Sequence, residues 1–163
     1  MLTFSRLHQV LHYDPGTGVF TWLVSTAHRI KIGDVAGSPS GHGYRKIMID
    51  GEKYYAHRLA WFYAYGRWPK EKLDHRDGPR DANKLDNLRE ANDLQNARNS
   101  RIGRNNTSGL KGVSLFKRDG TWRAQITVDS KNIHLGYFET AVEAHAAYRY
   151  AAERYHGDFA RMA

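Results

Sequence analysis

The chain has 163 residues, 40% of them hydrophobic, no cysteine, and a formal net charge of +8. That length holds one medium domain or two small ones with modest cores, and no apolar run approaches the roughly 20 residues a membrane span needs. The absence of cysteine excludes disulfides, thiolate zinc sites and a cysteine nucleophile, which leaves oxygen and imidazole ligands for any metal and so favours magnesium or manganese.

The positive charge points to a polyanionic partner. It is concentrated between Asn96 and Arg118, where Arg98, Arg101, Arg104, Lys111, Lys117 and Arg118 occur with no Asp or Glu. A solvated charged loop is the plain reading of such a run. A nucleic-acid footprint needs support from the flanking segments, and both supply it. No basic start followed by an apolar stretch and a small-residue cleavage site opens the chain, so a cytoplasmic location is expected.

In chain order, residues 1–13 read as a short amphipathic helix with Leu2, Leu7, Val10 and Leu11 apolar. Asp14 to Gly18 is a turn, and Val19 to Val24 a strand. A Gly- and Ser-rich loop over 33–43 precedes Tyr44–Ile49 and Glu52–His57, two strands around the hairpin turn Asp50-Gly51. An apolar helix over Arg58–Tyr65 should stop near Gly66 and Pro69. From Leu73 to Asn99 the pattern becomes an Asp- and Asn-rich loop and a short helix that Asn92 is suited to cap. A basic, polar linker over 100–109 then leads to three strands and a long helix, and the domain boundary is expected near residue 104.

The chemistry concentrates in Asp74-His75, Asn83, Asn87-Leu88-Arg89 and Asn96. Hydrolysis of a phosphodiester with one hard cation needs oxygen ligands, a neutral imidazole to activate water, and a group to fix that imidazole. Asp74 and Asn96 supply oxygen ligands. His75, next to Asp74 in an extended segment, points elsewhere because neighbouring side chains alternate, and so faces the phosphate. Asn87 is placed to orient the imidazole through its side-chain amide or its backbone carbonyl. Asn83 reads as a turn residue. Arg89 is either a phosphate clamp or a partner for Glu90 or Asp86. His8 and His12 lie one helical turn apart without a third ligand nearby, so packing or surface exposure is expected. His57, at the start of the apolar helix, suits either a structural role or a contact to DNA.

Leu73-Asp74-His75, Gly78, Arg80, Asn83, Asn87-Leu88-Arg89 and Asn96-Ala97-Arg98-Asn99 together resemble the HNH homing endonucleases of phages and mobile introns. The resemblance extends upstream through Gly33–Gly37, the Asp50-Gly51 hairpin, Ala56–Trp61 and Gly66–Pro69, covering roughly residues 10–99. It implies a ββα-metal motif: two strands, a loop and a helix around one divalent ion. It also implies His75 as general base, Asp74 and Asn96 as metal ligands, and Asn87 as the residue orienting His75.

After the linker, Trp122, Ala124, Ile126 and Val128 alternate with Thr121, Arg123, Gln125 and Thr127, which gives a strand with one packing face and one polar face. Asn132-Ile133-His134-Leu135 alternates in the same way. Thr140-Ala141-Val142-Glu143 is a capping box opening an alanine-rich helix, and Trp122 is expected in the layer between helix and sheet. Asn106–Val113, Trp122–Ile126, His134–Phe138 and Ala144–Gly157 resemble the DNA-binding domain of plant ethylene-response factors, the Apetala-two type. That resemblance implies a three-stranded sheet laid in the major groove. It makes Lys111, Arg118, Thr121, Arg123, Gln125, Thr127, Asn132 and His134 the DNA face. Several arginines of the plant readers are replaced, with Ser114 and Phe116 on the first strand, so the target sequence does not carry over.

The expected architecture is α+β: a ββα-metal (HNH) nuclease domain over 1–99, its catalytic motif at 73–99, then the 100–109 linker. A three-stranded antiparallel sheet packed on one helix follows over 110–163. The expected activity is site-directed, homing-type cleavage of double-stranded DNA with Mg2+ or Mn2+, as a monomer or weak dimer, in a bacterial cell or phage-infected host. Arg89, Arg98, Arg101 and Arg104 would join the sheet residues on DNA. The rival expectation is a sequence-specific DNA-binding protein whose nuclease centre has decayed.

Overall fold

A computed structural model describes residues 1–100, 102–103 and 105–160. Arg101 and Arg104 lie outside the described residues, and so does what was expected of them. The chain forms two compact units, Met1–Asn92 and Asp93–Ala163. The division falls ahead of the expected linker, so the short helix after Asn92 is counted with the second unit.

In the first unit, helix α1 runs only from Phe4 to Val10, with Thr3 Oγ1 accepting the Arg6 amide at 3.2 Å. The expected helix over 1–13 is too long because Leu11 and Tyr13 alternate buried against exposed His12, the period of a strand. Strand β1 (Leu11–Asp14) pairs antiparallel with β2 (Val19–Trp22), which stops short of the expected Val24. The loop expected over 33–43 contains a two-residue strand, β3 (Ser38–Pro39), on the edge of β4 (Arg45–Ile49). β4 pairs with β5 (Glu52–Tyr55) across Asp50-Gly51, both with positive φ (49° and 82°), the backbone a tight two-residue hairpin requires.

Helix α2 (Ala56–Tyr65) ends at left-handed Gly66, whose amide returns to the Phe62 carbonyl at 3.0 Å. Its buried Leu59 and Ala60 join Leu7, Val10, Leu11, Phe20, Ile47 and Leu88 in one core. Strands β6 (Lys72–His75) and β7 (Leu88–Ala91) pair antiparallel, with Asp74 opposite Arg89 and His75 opposite Leu88.

The second unit opens with helix α3 (Asp93–Arg98), which carries Asn96. Strands β8 (Val113–Phe116), β9 (Thr121–Val128) and β10 (Lys131–Phe138) make an antiparallel sheet with β9 central. Helix α4 (Ala141–His156) starts from the capping box of Thr140 and Glu143. Ile126 of β9 and Tyr148, Ala151 and Ala152 of α4 form one buried cluster, with Val128, Ile133 and Leu135 packed against it. Trp122 packs on a second cluster, of Val113, Ala124 and Ala144.

Candidate active site

The β6–β7 hairpin sets the candidate site. Cross-strand neighbours share a face, so Arg89 stands beside Asp74 and closes on it. Arg89 Nε and Nη2 both donate to Asp74 Oδ2, at 2.9 and 2.7 Å, and both side chains are buried. The carboxylate that holds Arg89 is therefore Asp74, in place of the expected Glu90 or Asp86. Glu90 instead takes Arg67 at 3.1 Å and the Lys70 amide at 2.6 Å, contacts that hold its carboxyl down to about 2. The guanidinium expected on DNA is thus buried against Asp74.

His75 is 5% exposed, and its Nε2 donates to Asn83 Oδ1 at 3.1 Å. With that oxygen accepting, the proton resides on Nε2 and Nδ1 is the basic nitrogen. Burial lowers the His75 pKa, against the upward pull of the Asn83 hydrogen bond, Asp74 and Asp81, so the ring is neutral at pH 7.

Asn83 is fixed in turn by the N-terminal hairpin. Tyr13 Oη donates to the Asn83 carbonyl at 2.7 Å, and a Cβ at Gly18 (φ 76°) would collide with the backbone of Asn83 and Lys84. The two asparagines of this loop meet different partners. Asn87 Oδ1 accepts the Asp77 amide (2.9 Å), its Nδ2 donates to the Ala82 carbonyl (2.7 Å), and its own carbonyl accepts the Arg76 amide (2.9 Å). These bonds stitch the 76–87 loop together. Asn83, expected as a turn residue, meets the imidazole.

A second imidazole adjoins the first. The His57 ring lies edge-on to His75, centroids 5.3 Å apart, with Tyr44 and Tyr55 at 5.1 and 5.5 Å from it. Burial, reinforced by the charges of His75 and Arg58, pushes its pKa down to about 3, and its buried Nδ1 has no hydrogen-bond partner among the described residues. The Arg80 guanidinium lies over Tyr44 and donates to the His42 carbonyl at 3.0 Å. His57, for which a structural role and a DNA contact were both open, is buried on the helix face it shares with Ala60 and Trp61. Nothing in the sequence joined it to His75. His8 does pack, stacked on Tyr63 at 3.7 Å with Nδ1 on the Phe4 carbonyl.

Among the described residues no cluster of three or more His, Cys, Asp or Glu side chains forms a metal cage. The donors on offer are one carboxylate, Asp74, and the Asn96 amide oxygen. Both are hard oxygen ligands, the chemistry of magnesium or manganese, which keep several waters and lean on substrate phosphate. Arg89 Nε and Nη2 both bond Asp74 Oδ2, so an ion at Asp74 would share that carboxylate with the guanidinium.

Residues 54–98 match the HNH endonuclease family, from β5 through α3. Over 107 residues, 65% of this chain and 88% of the relative, the sequence is 37% identical to Protein 3.8 of Escherichia phage T7. The chain belongs to the family of phage T7 Protein 3.8 and carries an HNH endonuclease domain. An HNH endonuclease domain implies a nuclease role with DNA as substrate. In this member the domain holds His57, Asp74, His75, Asn83, Asn87 and Arg89 in the first compact unit, while Asn96 and Arg98 fall in the second.

The remaining expected DNA residues of this HNH protein divide. Thr121, Arg123, Gln125 and Thr127 share the face of β9 opposite buried Ala124 and Ile126. Asn132 and His134 of β10 sit across from Thr127 and Gln125 on that face, and Thr127 Oγ1 donates to Asn132 Oδ1 at 2.6 Å. Tyr137, not foreseen, joins them, ring to ring with His134 (4.7 Å) and Phe116 (5.0 Å). Arg123 Nε and Thr121 Oγ1 are buried there without partners among the described residues.

Arg118 lies off this face in the β8–β9 turn, its Nε donating to Asp119 at 2.7 Å. Lys111 departs furthest, with Nζ on the carbonyls of Arg98 and Ser100 at 2.7 and 2.8 Å. Arg98 pairs with Asp129 at 2.9 Å.

Proposed function

We propose that this protein is a site-directed DNA endonuclease of the homing type, hydrolysing phosphodiester bonds with His75 as general base. The observation that carries the reading is a buried imidazole within the HNH match, its pKa lowered by burial and its ring held through Nε2 by Asn83. His75 takes a proton from water, the water oxygen attacks phosphorus, and the P–O bond to the leaving strand breaks, its oxygen taking a proton from solvent. Asp74 and Asn96 would hold one Mg2+ or Mn2+, which supplies Lewis-acid stabilisation of the charge building on the phosphate when bound. Asn83 keeps the tautomer, and Asn87 keeps the loop that carries Asn83 in register with the hairpin.

The exposed face of the C-terminal sheet supplies base preference, as the likeness to ethylene-response-factor domains suggests. Basic residues before it contribute a salt-sensitive hold on phosphate. Action on double-stranded DNA as a monomer or weak dimer, in the cytoplasm of a bacterial or phage-infected cell, completes the proposal. No described helix is long and apolar enough to cross a membrane.

One observation favours a second reading. Arg89 already neutralises Asp74, as would suit a DNA-binding protein whose nuclease centre has decayed. Supercoiled plasmid incubated with Mg2+ or Mn2+, with and without chelator, separates the two. Metal-dependent nicking or linearisation that chelator abolishes is the expected result. Binding without cleavage under either metal would establish the second reading.

A further inference from the structure

The HNH match runs to residue 98, yet the second compact unit begins at Asp93, so the last helix of the nuclease module is built into the C-terminal unit. That helix, α3, has six residues and no buried side chain. Helices shorter than about 12 residues are marginal alone, and the last carbonyls of any helix lack partners within it. Something outside α3 has to hold it.

Two contacts at its carboxyl end do so. Lys111 Nζ donates to the carbonyls of Arg98 (2.7 Å) and Ser100 (2.8 Å), where a cation also suits the negative end of the helix dipole. Arg98 Nη2 meets Asp129 Oδ1 at 2.9 Å, in the β9–β10 turn. Lys111 is itself anchored, for its carbonyl accepts His145 Nδ1 of α4 at 3.2 Å. The next residue, Gly112 (φ 74°), lies so close to Tyr148 that a Cβ would collide with the ring. The chain carrying Lys111 is therefore pressed onto α4, and its ammonium reaches back to α3.

We propose that Lys111 is a positioning residue of the nuclease centre: it clamps the carboxyl end of α3, and through that helix sets Asn96. The proposal rests on Asn96 being a metal ligand, as read above. In place of the DNA contact expected of Lys111, its ammonium holds the end of the helix that carries Asn96.

Lys111→Met keeps the aliphatic stem and removes the donors, while Lys111→Arg keeps donors. In the full-length protein, Lys111→Met should raise the Mg2+ concentration for half-maximal plasmid cleavage by about tenfold or more, with Lys111→Arg close to wild type. DNA affinity and its salt dependence should not change. Hydrogen exchange supplies a readout free of activity: the Asn99 and Ser100 amides, bonded to Gln95 and Ala97, should lose protection while β9 and α4 keep theirs. A Lys111→Met variant with weaker DNA binding and a salt slope reduced by about 0.9 would overturn the clamp, because Lys111 would then be a phosphate contact. Unchanged α3 protection would also overturn it. Should wild type fail to cleave with either metal, the nuclease reading falls while the exchange result still decides the clamp.

Discussion

Asp74 is claimed by two cations, the guanidinium of Arg89 and the divalent ion proposed here. Removing one partner of a buried pair leaves a charge uncompensated, at a cost of about 3–5 kcal/mol. Arg89→Met should therefore melt well below wild type without metal, and recover more stability than wild type when Mn2+ is added, since binding to the folded state stabilises it. Calorimetry with and without metal checks this; equal metal-induced shifts would mean that Arg89 does not compete for the site. The buried imidazoles give a second residue-scale expectation. His57 titrates near 6.5 when unfolded but about 3 when folded, so below pH 6.5 the unfolded chain binds a proton that the folded chain refuses. Stability is complete above that pH and falls on acidification by up to about 1.4 kcal/mol per pH unit from this group alone. His75 and His156, also lowered chiefly by burial, act in the same direction. Urea titrations at pH 7, 5.5 and 4.5 should show His57→Phe losing less stability than wild type over that range, and parallel losses would contradict the assignment.

At the scale of elements, the N-terminal β1–β2 hairpin is part of the site although it lies outside the HNH match. Tyr13 and Gly18 hold the backbone of Asn83, which holds His75. Gly18→Ala is expected to lower both the melting temperature and the cleavage rate, and loss of stability alone would uncouple the hairpin from the site. Asn83→Ala and Asn87→Ala should differ in kind. The first lowers kcat more than stability; the second, by freeing the 76–87 loop, lowers stability by about 1–3 kcal/mol.

What the sequence made legible at this scale followed local rules. The Asp50-Gly51 turn, the stop at Gly66 and the capping box at Thr140 each depend on residues within a few positions of each other. The pairings at the site were not legible in the same way. Asn83 and Asn87 carry the same side chain in one loop, and only the β6–β7 register with the distant Tyr13 decides which amide meets the imidazole. His57 reaches His75 through the packing of α2, which no spacing encodes. Lys111 was expected on DNA from its position in the resemblance to ethylene-response-factor domains, and its carbonyl partners, Arg98 and Ser100, come from chain more than ten residues away.

For the whole molecule, cleavage and site choice are expected from the sequence to lie in separate domains, open to separate mutation. The position of α3 within the second unit limits that separation, for substitutions at Arg98, Lys111 or Asp129 should alter the metal response as well as any DNA contact. Substitutions at Asn132 or His134, on the exposed sheet face, should move the cleavage position and leave the rate of cutting intact. The central claim is that His75 is the base of a metal-dependent cut. Single-turnover cleavage of DNA already bound by wild type and by His75→Ala, in Mg2+ and with binding measured in parallel, tests it most directly. A loss of about 10²–10⁴ in rate with equal binding is predicted; cleavage by His75→Ala at the wild-type rate would contradict it.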